Sequence, residues 1–213
     1  MAPPIIYGPA LSTYVRTVRL VCEEKGAPYQ LVEIDILKGD HKAHEHLARH
    51  PFGRVPAFEH DGFQLYETSA ITRYLDAVLP GTPLTPKDPK SAARMQQAVA
   101  IVDAYGYGAM ISACVIQRVV VPMVGGTTDE AVIASALPTA RISLRAFEEL
   151  LADHAWLAGD ALSLADLHVA PVMAYFTGTP EGQRLLPEHP TLARWWTIMA
   201  SLPSMARTQP QLG

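Results

Sequence analysis

The stretch Ala57-Phe58-Glu59-His60-Asp61-Gly62-Phe63-Gln64-Leu65-Tyr66 decides how the first part of the chain is read. Asp-Gly is the two-residue sequence best suited to a type I′ turn, which needs a positive φ at both central positions. The four-residue runs on either side are therefore expected as the two strands of a hairpin. Just downstream, Ile71, Tyr74, Leu75 and Val78 recur at i, i+3, i+4 and i+7, the spacing of one helical face. Strand, strand and helix follow in that order.

Working upstream, Ile5 and Ile6 form a short apolar run ended by Gly8-Pro9. From Ser12 to Lys25 the pattern turns helical, with Val15, Val18 and Cys22 on one face before Gly26. From Gln30 to Ile36, Val32, Ile34 and Ile36 alternate with Glu33 and Asp35, which predicts a half-buried strand parallel to the first. A β-α-β unit thus precedes the β-β-α unit. Pro80, Pro83, Pro86 and Pro89, with Gly81 between them, block helix and favour a stiff, extended connector. The predicted organisation is a domain over 1–81, a linker over 82–89 and a second domain over 90–213. That second part is alanine-rich, with helices expected at roughly Ser91 to Val121, Asp129 to Leu151, Leu164 to Phe176 and Leu192 to Leu202. Thr127-x-x-Glu130 and Ser163-x-x-Asp166 have the form of capping boxes, and Pro138 predicts a kink or break in the second helix. The fold class is α/β followed by all-α.

Composition narrows the function. The chain has 213 residues, 49% hydrophobic and 18% charged, so wholesale disorder is excluded. A net charge of −4 offers no global field for nucleic acid. Cys22 and Cys114 form neither a C-x-x-C pair nor a disulfide framework, which suits a reducing, cytoplasmic setting. The N-terminus lacks a basic, then apolar, leader and no run of ~18 apolar residues is uninterrupted, so no membrane association is expected.

Three places in the first domain suit chemistry. Ser12 stands where a loop meets the first helix, and there it is either a simple N-cap or a donor to an anion held by the helix N-terminus, with Thr13 competing for both roles. Val55-Pro56 precedes a strand; a cis bond would turn the Val55 main chain outward to pair with an extended peptide, and a trans bond would not. Glu67-Thr68 opens a helix whose free N–H groups suit a carboxylate. His41, His44, His46 and His50 have spacings compatible with zinc, but a solvated polar surface is the expected reading, with no metal.

Together these residues resemble a cytosolic glutathione S-transferase, most closely the phi class familiar from plants. The resemblance spans nearly the whole chain. It is carried by Tyr7-Gly8-x-x-x-Ser12-x-x-x-Arg16, Gly39-Asp40-His41-Lys42, His50-Pro51-Phe52-Gly53-Arg54-Val55-Pro56-Ala57-Phe58 and Tyr66-Glu67-Thr68-Ser69-Ala70-Ile71-Thr72. Gly126 to Ala131, Leu157 to Asp160 and Asp166-Leu167-His168 extend it. The resemblance implies an N-terminal thioredoxin-like domain (β-α-β-α-β-β-α), an all-helical C-terminal domain, a homodimer, a cis Pro56, and glutathione as co-substrate. It gives Ser12 the sulfur-directed hydroxyl, His41 and Lys42 the glycyl carboxylate, Val55 the cysteinyl backbone, and Glu67 with Thr68 the γ-glutamyl end. Arg54 stands where the family usually has glutamine, and His50 where asparagine is usual, the latter expected to affect the turn. Conjugation to hydrophobic electrophiles, or reduction of organic hydroperoxides, is the implied activity. The electrophile is expected near Leu11, Tyr105, Tyr107 and Ile111, where Gly106 and Gly108 allow a bend or a close approach. With no cysteine at position 12, Cys22 and Cys114 read as buried apolar residues. A non-catalytic carrier of hydrophobic ligands on the same fold is the alternative.

Overall fold

A computed structural model describes residues 2–210. The hairpin forms as its turn chemistry dictates: β3 (Ala57–His60) pairs antiparallel with β4 (Phe63–Tyr66), and Asp61 and Gly62 take φ values of 49° and 80°. β3 also pairs antiparallel with β1 (Ile5–Tyr7), which pairs parallel with β2 (Gln30–Val32), giving the order β2-β1-β3-β4. The second strand was expected to reach Ile36, yet it stops at Val32. β2 is an edge strand whose partner is the three-residue β1. Tyr7 opposite Val32 is their last register pair, and the Gly8 N–H donates to the Val32 carbonyl at 2.9 Å, so the ladder ends there.

α1 (Thr13–Glu24) begins at Ser12 and is buried from Val15 through Cys22, packed on β1 and on α3 (Thr68–Val78). Between β2 and β3 lie a 3₁₀ turn (Asp40–Lys42) and the short α2 (His44–Arg49). This is the mixed four-stranded sheet of a thioredoxin-like domain. At the C-terminal end of α1, the Lys25 ammonium is buried against Asp76 Oδ1 at 2.7 Å and also donates to the carbonyls of Asp76 and Thr82. Asp76 in turn accepts the Leu84 N–H at 2.8 Å, so one ion pair ties α1, α3 and the chain that leaves them.

The chain divides into two compact units, residues up to Thr85 together with those from Ser201, and Pro86–Ala200. The sequence assigned everything from 90 onward to the helical domain, but α10 (Pro203–Arg207) packs on α1. The cause is electrostatic. Arg16 and Arg19 are buried on α1 and need acceptors, which Met205 O, Thr208 Oγ1 and Thr208 O supply at 2.9 to 3.3 Å.

The second unit is helical throughout. α4 (Pro89–Ile101), capped by Asp88, continues as a π-wound stretch (Val102–Val120) and a last turn, α5 (Val121–Met123). The Val121 N–H accordingly reaches the Ile116 carbonyl, five residues back. A Cβ on Gly106 would meet its nearest neighbour at 3.6 Å and one on Gly108 would meet nothing within 4 Å, so close packing requires neither glycine. By length and composition this 35-residue helix is long and apolar enough to cross a bilayer, but half of its most apolar window is buried in the protein, as in a core helix.

α6 (Glu130–Leu151) runs unbroken through Pro138. Proline removes one hydrogen bond, whereas Ile133, Ala140, Leu144, Phe147 and Leu151 bury fully along the same helix, and burial of ~1.5–3 kcal/mol for each large side chain outweighs the loss. Its N-cap is Asp129, accepting from the N–H groups of Ala131 and Val132, and not Thr127 as the spacing had indicated. At α7 (Leu164–Phe176) the expected Ser163–Asp166 pairing forms: Asp166 Oδ2 accepts from the Ser163 N–H and hydroxyl, both at 2.9 Å. Its Oδ1 accepts from the Leu157 N–H and the indole of Trp195. α8 (Pro180–Leu185) and α9 (Pro190–Ala200) complete the unit.

Candidate active site

Register places the candidate residues before any side chain is considered. Tyr7 lies opposite Ala57, and Ala57 opposite Tyr66, so one line crosses β1, β3 and β4 at the same end of the sheet. The loop carrying Ser12 leaves after Tyr7, Val55-Pro56 arrives before Ala57, and Glu67-Thr68 leaves after Tyr66. Three segments distant in sequence thus emerge side by side. Gly8 draws two of them into contact: a Cβ there would lie 2.5 Å from Val15 Cγ2 and 3.1 Å from Val55 Cβ, so only glycine lets the backbone pass.

Ser12 is the N-cap of α1, in extended conformation, with Oγ accepting from the Val15 N–H at a long 3.4 Å. That bond uses the oxygen as acceptor and leaves the hydroxyl hydrogen to donate elsewhere. Thr13 is the first helical residue and is buried, while Leu11 before them is exposed. The Val55-Pro56 peptide bond is cis. Among the described residues, neither the N–H nor the C=O of Val55 finds a hydrogen-bond partner.

Glu67 precedes α3 with φ +71° and ψ 115°, a backbone conformation that costs a non-glycine residue roughly 1–3 kcal/mol. Its side chain does not cap the helix; it is exposed, whereas Thr68 is buried. No composition or spacing signal marks that strain, because the sequence position carries an ordinary glutamate. His41 and Lys42 belong to the 3₁₀ turn, half-buried and exposed respectively. They are brought up by Gly53 (φ +59°), where a Cβ would sit 3.1 Å from the His41 carbonyl. Arg54 is exposed, and among the described residues none forms an ion pair with its guanidinium. All eight candidate residues therefore belong to one unit, clustered at one end of its sheet.

The histidine run departs from the expected solvated surface. His44 is exposed, but His46 and His50 are each 2% exposed. Both face the turn that leads to Val55. His50 ends α2, accepts the Gly53 N–H at 2.8 Å through its carbonyl, and packs its ring on Tyr66 at 4.9 Å. Burial holds its pKa below the ordinary histidine value, with the Arg54 guanidinium adding to the lowering and the Glu67 carboxylate pulling the other way. The i, i+4 spacing of His46 and His50 was the available signal, since it puts both on one helical face. No group of three side chains able to hold a metal forms among the described residues. Cys22 and Cys114 are both free and buried; burial pushes their thiols up to about 12 and about 11.

Residues 6–83 match the family model described as glutathione S-transferase, N-terminal domain, and residues 111–203 the one described as glutathione S-transferase, C-terminal domain. The chain belongs to the glutathione S-transferase family. Within it, the relatives are of the plant phi class. A probable glutathione S-transferase of Oryza sativa, GSTF1, is 32% identical over 97% of this chain and 95% of its own. Glutathione transferase F7 from Populus trichocarpa superposes with a TM-score of 0.87 at 31% identity, covering 96% of this chain and 97% of that one. Glutathione S-transferase I from maize, solved in complex with an atrazine glutathione conjugate, gives 0.84 at 32% identity, with 97% and 96% covered. This glutathione S-transferase thus shares its fold with 97% and 96% of the two comparison structures.

Proposed function

We propose that the protein binds glutathione at the end of the sheet where Ser12, Val55 and Glu67-Thr68 converge, and that the Ser12 hydroxyl stabilises the glutathione thiolate for attack on a hydrophobic electrophile. The observation that carries this reading is the state of Ser12: its oxygen accepts one long bond, its hydrogen is uncommitted, and it stands at the start of α1. A free thiol of pKa ~8.5 is only about 3% thiolate at pH 7. A hydroxyl donor and the positive end of a helix both favour the anion, and a fall of ~2 units, about 2.7 kcal/mol, would ionise most of the bound thiol.

In this reading the unpartnered Val55 main chain pairs with the cysteinyl backbone of glutathione. Glu67 and Thr68 take its γ-glutamyl end, His41 and Lys42 its glycyl carboxylate, and Arg54 adds a cation beside them. Conjugation forms a carbon–sulfur bond and expels the leaving group of the electrophile. With a hydroperoxide, the thiolate attacks the terminal oxygen and the O–O bond breaks, giving glutathione sulfenic acid and, after protonation, the alcohol; a second glutathione thiol then displaces water from the sulfenic acid to form the disulfide. The two free cysteines fit a cytoplasmic protein, and a homodimer is the assembly to be tested by sedimentation.

The test is the ultraviolet absorbance of the bound thiolate against pH, in the wild type and in Ser12→Ala. Expected is a bound pKa ~2 units below that of free thiol which rises on mutation, with a ~10 to 100-fold loss of rate and nearly unchanged glutathione affinity. Saturable binding with no pKa shift would refute serine activation and leave a carrier of ligands.

A further inference from the structure

His46 touches the backbone of the proposed glutathione site without being one of the groups assigned to it. It is buried on α2, with Nε2 2.7 Å from the carbonyl oxygen of Arg54. A carbonyl only accepts, so Nε2 carries the hydrogen and Nδ1 presents a bare lone pair. That Nδ1 is buried and has no hydrogen-bond partner among the described residues. An unsatisfied buried acceptor costs free energy that an apolar side chain of similar size would avoid. Packing alone therefore does not account for an imidazole here; the bond from Nε2 does.

The bond matters because of what shares its peptide plane. The Arg54 carbonyl and the Val55 N–H belong to one planar trans unit, in which C=O and N–H point in opposite directions. Pinning the oxygen onto α2 aims the Val55 N–H the other way, away from α2. The preceding residues are equally constrained. The Gly53 N–H is bound to the His50 carbonyl at 2.8 Å, and a Cβ on Gly53 would press on His41 O and on Leu47 Cδ2, at 3.1 and 3.3 Å. α2 and the 3₁₀ turn thus hold this turn sterically, and His46 supplies a directional tie.

We infer that His46 is a positioning residue that fixes the Arg54–Val55 peptide plane and so aims the Val55 N–H at the backbone of glutathione. The inference rests on the glutathione reading given above. It predicts a division between binding and chemistry, since His46's hydrogen bond goes to the Arg54 carbonyl and its effect passes through the Val55 peptide.

The experiment uses the full chain with His46→Leu, which fills the volume without a donor, and His46→Gln, which restores an N–H. Steady-state kinetics with glutathione and a halogenated nitroarene separate KM from kcat, and thermal melting is recorded alongside. Expected for His46→Leu is a glutathione KM raised about tenfold with kcat within about twofold, the loss of one aimed hydrogen bond. His46→Gln should bring KM back to within about threefold of wild type. A wild-type KM in His46→Leu, or equal impairment of KM in both variants, overturns the inference while leaving the glutathione reading standing. A wild type with no saturable glutathione dependence overturns that reading, and this inference with it. Should His46→Leu fail to fold, nitrogen-15 NMR of the wild-type imidazole decides: a hydrogen on Nε2 of His46 supports the assignment, and one on Nδ1 overturns it.

Discussion

Replacing Lys25 by methionine tests how the unit that carries Ser12 is held together. Lys25 and Asp76 side chains are 1% and 7% exposed and 2.7 Å apart, so neither charge is screened by solvent. Removing one partner of a buried pair typically costs ~3–5 kcal/mol, because the remaining charge is left uncompensated. Here the remaining carboxylate keeps the Leu84 N–H and the Thr85 hydroxyl, which puts the cost near the lower end, about 3 kcal/mol. The double variant Lys25→Met/Asp76→Leu leaves no buried charge and should cost at least ~2 kcal/mol less than the sum of the single changes. The pair also has a pH signature. Burial pulls the Asp76 carboxyl up, but the Lys25 ammonium and the Leu84 and Thr85 donors outweigh it and hold the pKa below the ordinary carboxylate value. Such a group stabilises the fold fully above the unfolded pKa of ~3.9, and that stability is lost as pH falls through the lower, folded value. Lys25→Met should therefore flatten the acid limb of the stability profile. All three tryptophans, Trp156, Trp195 and Trp196, lie in the helical unit. Urea unfolding should accordingly be followed by amide hydrogen exchange in α1, with fluorescence reporting the other unit. A cost below ~1 kcal/mol for Lys25→Met, or strict additivity in the double variant, would refute the reasoning.

Two further outcomes are expected. At pH 8, thiols raised to about 12 and about 11 leave Cys22 and Cys114 almost wholly protonated, so iodoacetamide should label the native protein at least ~100-fold more slowly than free thiol and leave activity intact; stoichiometric native labelling within minutes would contradict this. Asp166→Asn replaces two acceptor oxygens by one and turns an amide N–H toward buried donors, so it should destabilise the helical unit by ~2–4 kcal/mol in fluorescence-monitored melting, and a loss under ~1 kcal/mol would show that the cap tolerates it.

What could be read in advance was local. Asp61-Gly62 determines its own turn, Ser12 ends a loop and starts a helix, and the spacing of Ile71, Tyr74, Leu75 and Val78 describes a helical face without knowing what covers it. The failures share a different cause, dependence on a distant partner. Ile34 and Ile36 alternate as a strand should, but the neighbouring strand is too short to receive them. Nothing in the sequence around Arg16 and Arg19 points to their acceptors, which lie almost two hundred places later. Within the candidate site, the hydroxyl at 12 and the Val55-Pro56 step were visible as residue types. The Glu67 backbone was not, since a strained φ leaves no trace in a side chain, and His46 was misread because four histidines close together look polar whichever way the helix turns them.

The docking of α10 on α1 has a consequence for the order in which the protein is made. The unit that houses Ser12 is discontinuous: its sheet and first helices are synthesised before the helical unit, whereas the acceptors for Arg16 and Arg19 leave the ribosome after it. Throughout translation of the intervening helices, two cationic groups of α1 wait without the oxygens that will enclose them. The scaffold around Ser12 is therefore closed only once the whole helical unit has been synthesised.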